Sequence, residues 1–231
     1  MINNYSKIVD QYATVNNLGT AYLAFRDIDK IIKKYIRGSN ALDFGCGNGD
    51  STELLLDNGL NVSATDISRA MISKASIRFP QCDFKIIKDK KTPYKTKQFD
   101  LVFSSFVLLE IATKNEMVNI FNEIYRVLKY NGVFIFITCT ENFYTGKWLS
   151  IDVDYPQNKC LVSGDKAKLR FTNNDLSLYD FYWTSNDYID VIQKAMFEVK
   201  DIIYPLGLDT DGYKWVDEKK SPPYVIYVLS K

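Results

Sequence analysis

The stretch Asp43-Phe44-Gly45-Cys46-Gly47-Asn48-Gly49 gathers the positions most able to do chemistry. Three glycines at alternate positions leave the main chain bare, so a ligand can lie directly against the backbone. Loops of this kind usually hold phosphates at a helix N-terminus. Two details turn this one away from phosphate. A dinucleotide fingerprint, G-x-G-x-x-G, would need glycine where Asp50 stands, and the Gly-Lys-Ser/Thr ending of a Walker loop is absent. Asp43, at the end of an apolar run just before the turn, would repel pyrophosphate and attract a ligand bearing an ammonium group. Asp66 closes the next apolar run, where an acid can accept hydrogen bonds from ribose hydroxyls.

The chain contains no histidine, which removes the commonest general base and the commonest metal ligand together. A proton acceptor must then be a carboxylate, a tyrosine or a lysine. Glu110, Tyr144 and Asp180 are the candidates, with Glu141 and Asp152 beside them; none stands out, and each reads more readily as a structural or solvated residue. Cys46, Cys82, Cys139 and Cys160 lack CxxC spacing, so neither a disulfide framework nor a metal site is expected, and a reducing cytoplasm fits best.

The elements that must position these groups alternate between strand and helix patterns. Residues 19–37 carry Ile28, Ile31, Ile32, Tyr35 and Ile36 at helical spacing. Asn40–Phe44 is a short apolar run stopped by glycine. Asp50 with Glu53 reads as an N-cap and its partner, and Gly59 closes that helix. Asn61–Thr65 is the next strand, and Ser68 caps a helix reaching Arg78, ahead of Pro80. Phe84–Ile87 and Phe99–Phe103 are further strands. Met117, Ile120, Phe121, Ile124 and Leu128 share one face of a helix ending near Gly132, and Val133–Ile137 is the clearest strand. Five such units imply a doubly wound, mostly parallel seven-stranded sheet with helices on both faces and an antiparallel edge strand.

Residues 140–183 change character: aromatic, polar and turn-rich, with alternation in Lys168–Phe171 and Leu176–Trp183. They read as a β-hairpin or cap inserted after strand five. Ser185 then caps a helix burying Tyr188, Ile192, Ala195 and Met196, and Phe197–Tyr204 and Tyr224–Leu229 form closing strands. The result is a single domain over 1–231, with an N-terminal lid and helix (1–37), a ligand-binding core (38–139), a cap (140–183) and a closing helix and strands (184–231).

Composition limits the partners. At 231 residues, 46% apolar and 25% charged, the chain can bury a real core, and a net charge of +1 without a basic stripe argues against a nucleic-acid partner. The polar start lacks the apolar stretch of a signal peptide, and no run approaches the roughly 18 apolar residues that cross a bilayer, so no membrane partner is expected.

S-adenosylmethionine meets the requirement set by Asp43 and Asp66: its amino-acid ammonium and sulfonium are positive, and it carries a ribose. ALDFGCGNG (41–49), VSATDIS (62–68), FDLVFSSFVLLEI (99–111) and RVLKYNGVFIF (126–136), in that order, resemble the class I S-adenosylmethionine-dependent methyltransferases over roughly residues 5–140. The resemblance implies a Rossmann-like fold that binds S-adenosylmethionine and releases S-adenosylhomocysteine. It places Asp43 near the methionine amino group, Asp66 on the ribose, Gly45, Cys46 and Gly47 along the cofactor, and Ile67 and Met71 against adenine. Asp89-Lys90 takes the place of the family's acid-containing dipeptide, although Lys90 departs from the usual small residue. Ser104, Ser105 and Phe106 fall where cofactor and substrate meet, Tyr5 and Tyr12 lie in a lid, and Arg26 resembles an arginine that pairs with the cofactor carboxylate.

Ser221-Pro222-Pro223-Tyr224 resembles the motif with which some members methylate exocyclic amines or an amide, but it precedes a closing strand and reads as a turn. The expected activity is methyl transfer to an O or N atom of a small molecule, with 140–183 covering the substrate through Phe143, Tyr144, Trp148, Tyr179, Tyr182 and Trp183. Insertions here form a homodimer in some sugar-modifying relatives, so a dimer through 140–183 is a further expectation. A protein or peptide methyltransferase and a non-catalytic cofactor-binding protein are the competing readings.

Overall fold

The inner strands of the sheet are largely apolar because helices cover both of its faces. The computed structural model describes residues 2–15, 17–88 and 90–231, with only the backbone of Ser6. In chain order the helices and strands are α1 (Tyr5–Tyr12), α2 (Tyr22–Phe25), α3 (Ile28–Tyr35), β1 (Asn40–Phe44), α4 (Asp50–Asp57), β2 (Asn61–Asp66), α5 (Arg69–Arg78), β3 (Asp83–Ile86), β4 (Phe99–Ser105), α6 (Lys114–Val127) and β5 (Leu128–Cys139). There follow β6 (Ile151–Asp152), β7 (Lys166–Phe171), β8 (Ser177–Phe181), α7 (Ser185–Lys194), β9 (Glu198–Ile203) and β10 (Tyr224–Ser230).

Seven strands form one sheet in the order β3-β2-β1-β4-β5-β10-β9. The first five are parallel, and β10 runs antiparallel between β5 and the edge strand β9. The chain winds from β1 out to β3, then returns to β4 on the other side of β1. That reversal opens a crevice at the carboxyl ends of β1 and β4, where ligands bind in such sheets. Because β10 is reversed, its first residue, Tyr224, arrives at that same end.

Alternation along the strands sorts side chains into two cores. Ile135 and Ile137 of β5 pack on one face with α2, α3 and the cap, and Phe134 and Phe136 on the other with α6 and α7. The inserted segment forms a three-stranded antiparallel sheet, β6-β7-β8, pairing Leu169 with Leu178 and burying both in the first core. Helix α1 lies across the cap: Gln11 and Asn174 exchange hydrogen bonds at 2.9 and 3.1 Å, and Asn3 bonds both backbone groups of Tyr179. Among the described residues no helix is long and apolar enough to cross a membrane.

Several boundaries differ from the sequence expectations. The helical period over 19–37 is broken into a short turn, α2 and α3, interrupted at Arg26-Asp27. Gly49, not Asp50, stands at the N-cap of α4; Asp50 and Glu53 instead pair with Arg78 at 2.6 and 2.8 Å. Helix α6 ends at Val127 rather than near Gly132, because β5 already begins at Leu128. The α7 cap is Thr184, in a capping box with Asp187, one residue before Ser185. Met196 is 72% exposed with φ +60°, so it closes the helix turn instead of joining its buried face. Ser68 does cap α5, accepting the Met71 N–H.

Candidate active site

Beyond the carboxyl ends of β1, β2 and β4 lies a cleft in two compartments that share Tyr5, Tyr12, Gly45, Gly47, Ser105 and Phe106. The turn after β1 shapes the junction. Gly45 is folded so closely under the β4 loop that an added Cβ would stand 2.2 Å from Val107 Cγ2. Gly47, at φ +51°, is the opposite case: an added Cβ would meet no atom within 4 Å, because that position faces open space.

Asp66 fixes the turn from the neighbouring strand. Its Oδ2 accepts the Gly47 N–H at 3.0 Å and its Oδ1 the Ser68 N–H at 2.7 Å, while burial pushes the carboxyl up from its ordinary range. Around it the first compartment, about 840 Å³ including open solvent at its mouth, is walled by Ile67, Met71 and Ile87, with Lys90 at the rim. Lys90 is engaged by Glu116 at 2.9 Å.

The second compartment runs from the glycine turn beneath the cap. Phe25, Phe143, Ile151, Leu169, Leu178 and Tyr224 are among its walls, and Asp180 stands at its end. Asp180 is 5% exposed, and its Oδ2 accepts the Tyr144 hydroxyl at 3.0 Å. Burial raises the Asp180 carboxyl to about 7, opposed by the Tyr144 hydrogen bond and reinforced by the Glu110 charge. Burial likewise holds the Cys139 thiol, on the same wall, well above its ordinary range. Helix α1 closes the cleft from outside, and Glu110 is its latch: the carboxylate accepts the Tyr5 hydroxyl at 2.7 Å, the Asn3 amide at 2.5 Å and the Ile2 N–H at 3.1 Å.

The cleft thus brings together Tyr12, Gly45, Cys46, Gly47, Asp66, Ile67, Met71, Lys90, Ser105 and Phe106, as expected from the sequence. Asp43 stands apart from them. It is fully buried behind the turn, where its Oδ2 accepts the Ser51 and Thr52 hydroxyls at 2.8 and 2.7 Å and its Oδ1 has no partner among the described residues. Burial lifts its carboxyl to about 7. Ser104 is also buried, donating to the Phe44 carbonyl at 2.9 Å, so it ties β4 to β1 and does not line the cleft. Arg26 is turned away: it bonds Asp27, the Leu206 carbonyl and Asp211, anchoring the loop after β9. Asp89 lies outside the described residues.

Of the proton-acceptor candidates, Glu110 and Asp180 line the cleft and Tyr144 stands behind Asp180. Glu141 accepts the Ser185 N–H and hydroxyl at the start of α7, and Asp152 pairs with Arg170 on the cap, so neither reaches it. Tyr224 and Cys139 were missed. The closing-strand reading of Ser221–Tyr224 holds, but only the reversed direction of β10 reveals that its first residue enters the cleft.

These residues fit S-adenosylmethionine. The open face of Gly47 gives room against the backbone, Asp66 offers a ribose acceptor, Ile67 and Met71 form an apolar slot, and the lining acids Asp50, Asp66, Glu110 and Asp180 outnumber the one lysine. Among the described residues no group of three or more His, Cys, Asp or Glu side chains could hold a metal.

Comparison with known proteins agrees. A family model described as a methyltransferase domain matches residues 42–136. An uncharacterized methyltransferase of Synechocystis sp. is 32% identical over 100 residues, taking in 43% of this chain and 47% of that protein, so the chain spans about half of that relative's length. An uncharacterized protein of Methanocaldococcus jannaschii is 33% identical over 194 residues, covering 77% of this chain and 68% of the relative. A crystal structure of an S-adenosylmethionine-dependent methyltransferase from Mesorhizobium loti superposes with a TM-score of 0.68 at 17% identity, covering 92% of this chain and all of that one, which shows the shared fold. The chain belongs to the class I S-adenosylmethionine-dependent methyltransferases.

Proposed function

We propose that the protein transfers the methyl group of S-adenosylmethionine to an oxygen or nitrogen atom of a small molecule held in the second compartment. The observation that carries this reading is continuity: the compartment around Asp66 opens through Tyr12, Gly47 and Phe106 into one that ends on Asp180. Bound there, the cofactor supplies a methyl carbon already activated by a sulfonium. The protein's part is alignment, exclusion of water and acceptance of a proton.

Each part has a residue. Asp66 and the Gly45–Gly47 backbone hold the nucleoside, with Ile67 and Met71 against its base. The α1 lid, latched on Glu110, keeps water from the junction. Asp180 takes the acceptor's proton, being a buried carboxyl poised near neutrality in the substrate compartment. The second compartment, walled by Phe25, Phe143 and the cap residues Leu169 and Leu178 and overlain by the α1 lid, favours a small molecule over a protein segment.

The test is incubation with methyl-labelled S-adenosylmethionine and a size-fractionated extract. Label should appear in the low-mass fraction, with S-adenosylhomocysteine in equal amount. Label confined to protein would establish the peptide alternative, and cofactor bound without any turnover would make the chain a binding module.

A further inference from the structure

The second compartment is unbalanced in charge. Asp180 is nine-tenths buried, its Oδ2 bonded to Tyr144, and no Lys or Arg among the described residues lines the space in front of it. Arg26 is taken up by Asp27 and Asp211, and Arg170 by Asp152 and Asp175. The latched Glu110, whose partners Tyr5, Asn3 and Ile2 are all neutral donors, adds further negative charge. A buried carboxylate without a counter-ion is costly, and a ligand that brings the missing charge recovers that cost.

The walls have the same preference. The ring of Phe106 lies 6.0 Å from that of Phe25 and 5.3 Å from that of Tyr224, and Phe143 is 5.7 Å from Tyr224. Aromatic faces attract a cation and accept an apolar body, while they repel an anion.

We infer that the substrate is an amine with an apolar, ring-bearing body, bound as its ammonium against Asp180 and methylated on nitrogen. This rests on the methyl-transfer reading above. Asp180 takes one proton from the ammonium, which frees the nitrogen lone pair. That pair forms the new N–C bond as the methyl C–S bond breaks, its electrons returning to sulfur. Sulfur ends as a neutral thioether, the methylated nitrogen carries the positive charge, and Asp180 passes its proton to solvent as product leaves. A carboxylic acid would meet uncompensated negative charge, and an alcohol would leave Asp180 without its counter-ion.

The experiment is calorimetry on the full chain saturated with S-adenosylhomocysteine, using 2-phenylethylamine, 2-phenylethanol and phenylacetate as probes of one shape and three charges. The amine should bind at least about tenfold more tightly than the alcohol, and phenylacetate not at all. With S-adenosylmethionine the amine should yield its N-methyl derivative by mass spectrometry. Asp180→Asn should reduce the amine to the affinity of the alcohol while leaving S-adenosylhomocysteine binding intact, and Asp180→Glu, which keeps the charge, should retain the ranking. Should either variant fail to fold, the wild-type ranking still decides. Alcohol or acid binding as well as the amine, or none of the three binding to the loaded protein, overturns the inference and leaves the cofactor reading standing. Failure of S-adenosylhomocysteine itself to bind overturns both.

Discussion

The compartment around Asp66 and the compartment around Asp180 are built from different kinds of sequence. Apart from Tyr5 and Tyr12 of the α1 lid, the first is made mainly from the segments that follow β1, β2, β3 and β4, so most of its parts arrive within one stretch of consecutive βα units. The second collects Phe25 from the N-terminal region, Leu169 and Leu178 from the cap, and Tyr224 from the last strand. A turn that must bring backbone to a ligand constrains residue types locally, which is why the first compartment is dense in glycine and acid. A pocket assembled across the whole chain constrains only size and polarity at each position, and many residues satisfy that. On the proposed reading, binding of the nucleoside is thereby separated from acceptance of the proton, and the two halves should be breakable independently.

The largest effect is expected at the far end. Asp180→Asn should lower kcat by about 10²–10⁴-fold, the usual contribution of a positioned proton acceptor, with S-adenosylhomocysteine affinity changed by less than about twofold. The pH profile sharpens the point. With its carboxyl raised to about 7, Asp180 is the active carboxylate only above that value, so wild-type kcat/KM should rise with pH up to about 7 and then level off. The variant should lose that rise. A variant with full activity and the same profile would separate Asp180 from the chemistry.

At the near end, Asp66→Ala should weaken S-adenosylhomocysteine binding by about tenfold to a hundredfold in calorimetry. It removes the acceptor for the Gly47 and Ser68 N–H groups as well as for the ribose, and charge-assisted bonds contribute about 1.5–3 kcal/mol each. Undiminished affinity would show that the turn does not hold the nucleoside in this way.

Asp43 tests whether the acid behind the turn belongs to the scaffold. Its folded carboxyl sits at about 7, against about 3.9 in an unfolded chain. Between those values the folded protein keeps a proton that the unfolded chain has released, so stability falls as pH rises, by at most about 1.4 kcal/mol per pH unit. Below the lower value the contribution is fully present, and it is lost on passing through the higher one. Urea unfolding at pH 5 and pH 7 should therefore show a larger loss in the wild type than in Asp43→Asn. Equal losses would mean that Asp43 is ionised throughout.

How far the sequence could be read follows the same division. Alternating strand and helix patterns were enough for the seven-stranded sheet, because its inner strands β1, β4, β5 and β10 are buried over most of their length and have little freedom in composition. Gly45, Gly47 and Asp66 were legible because a sharp turn beside an acid admits few alternatives. The resemblance places Ser104 with Ser105 and Phe106 at the end of the fourth strand, where cofactor and substrate meet, but strand alternation buries Ser104 and exposes Ser105 to the cleft. Tyr224 was hidden by direction: nothing local tells an antiparallel strand from a parallel one, and that choice decides which end reaches the cleft. Glu110 was one carboxylate among many until the fold brought Asn3 and Tyr5 to it.

Arg26 gives the smallest and most pointed prediction, since resemblance and structure assign it different partners. In the structure its guanidinium reaches Asp27 at 2.7 Å and Asp211 at 3.1 Å and bonds the Leu206 carbonyl, which leaves no donor directed at the cleft. Arg26→Met, which keeps the apolar stem, should leave S-adenosylhomocysteine affinity within about twofold. It should cost about 1–2 kcal/mol of stability in urea unfolding, because Asp211, itself nearly buried, loses its cation. A variant as stable as wild type but tenfold weaker for the nucleoside would reverse the assignment. It would mean that the arginine leaves Asp211 to take the cofactor carboxylate, and that the first compartment draws on a residue beyond both its run of turns and the α1 lid.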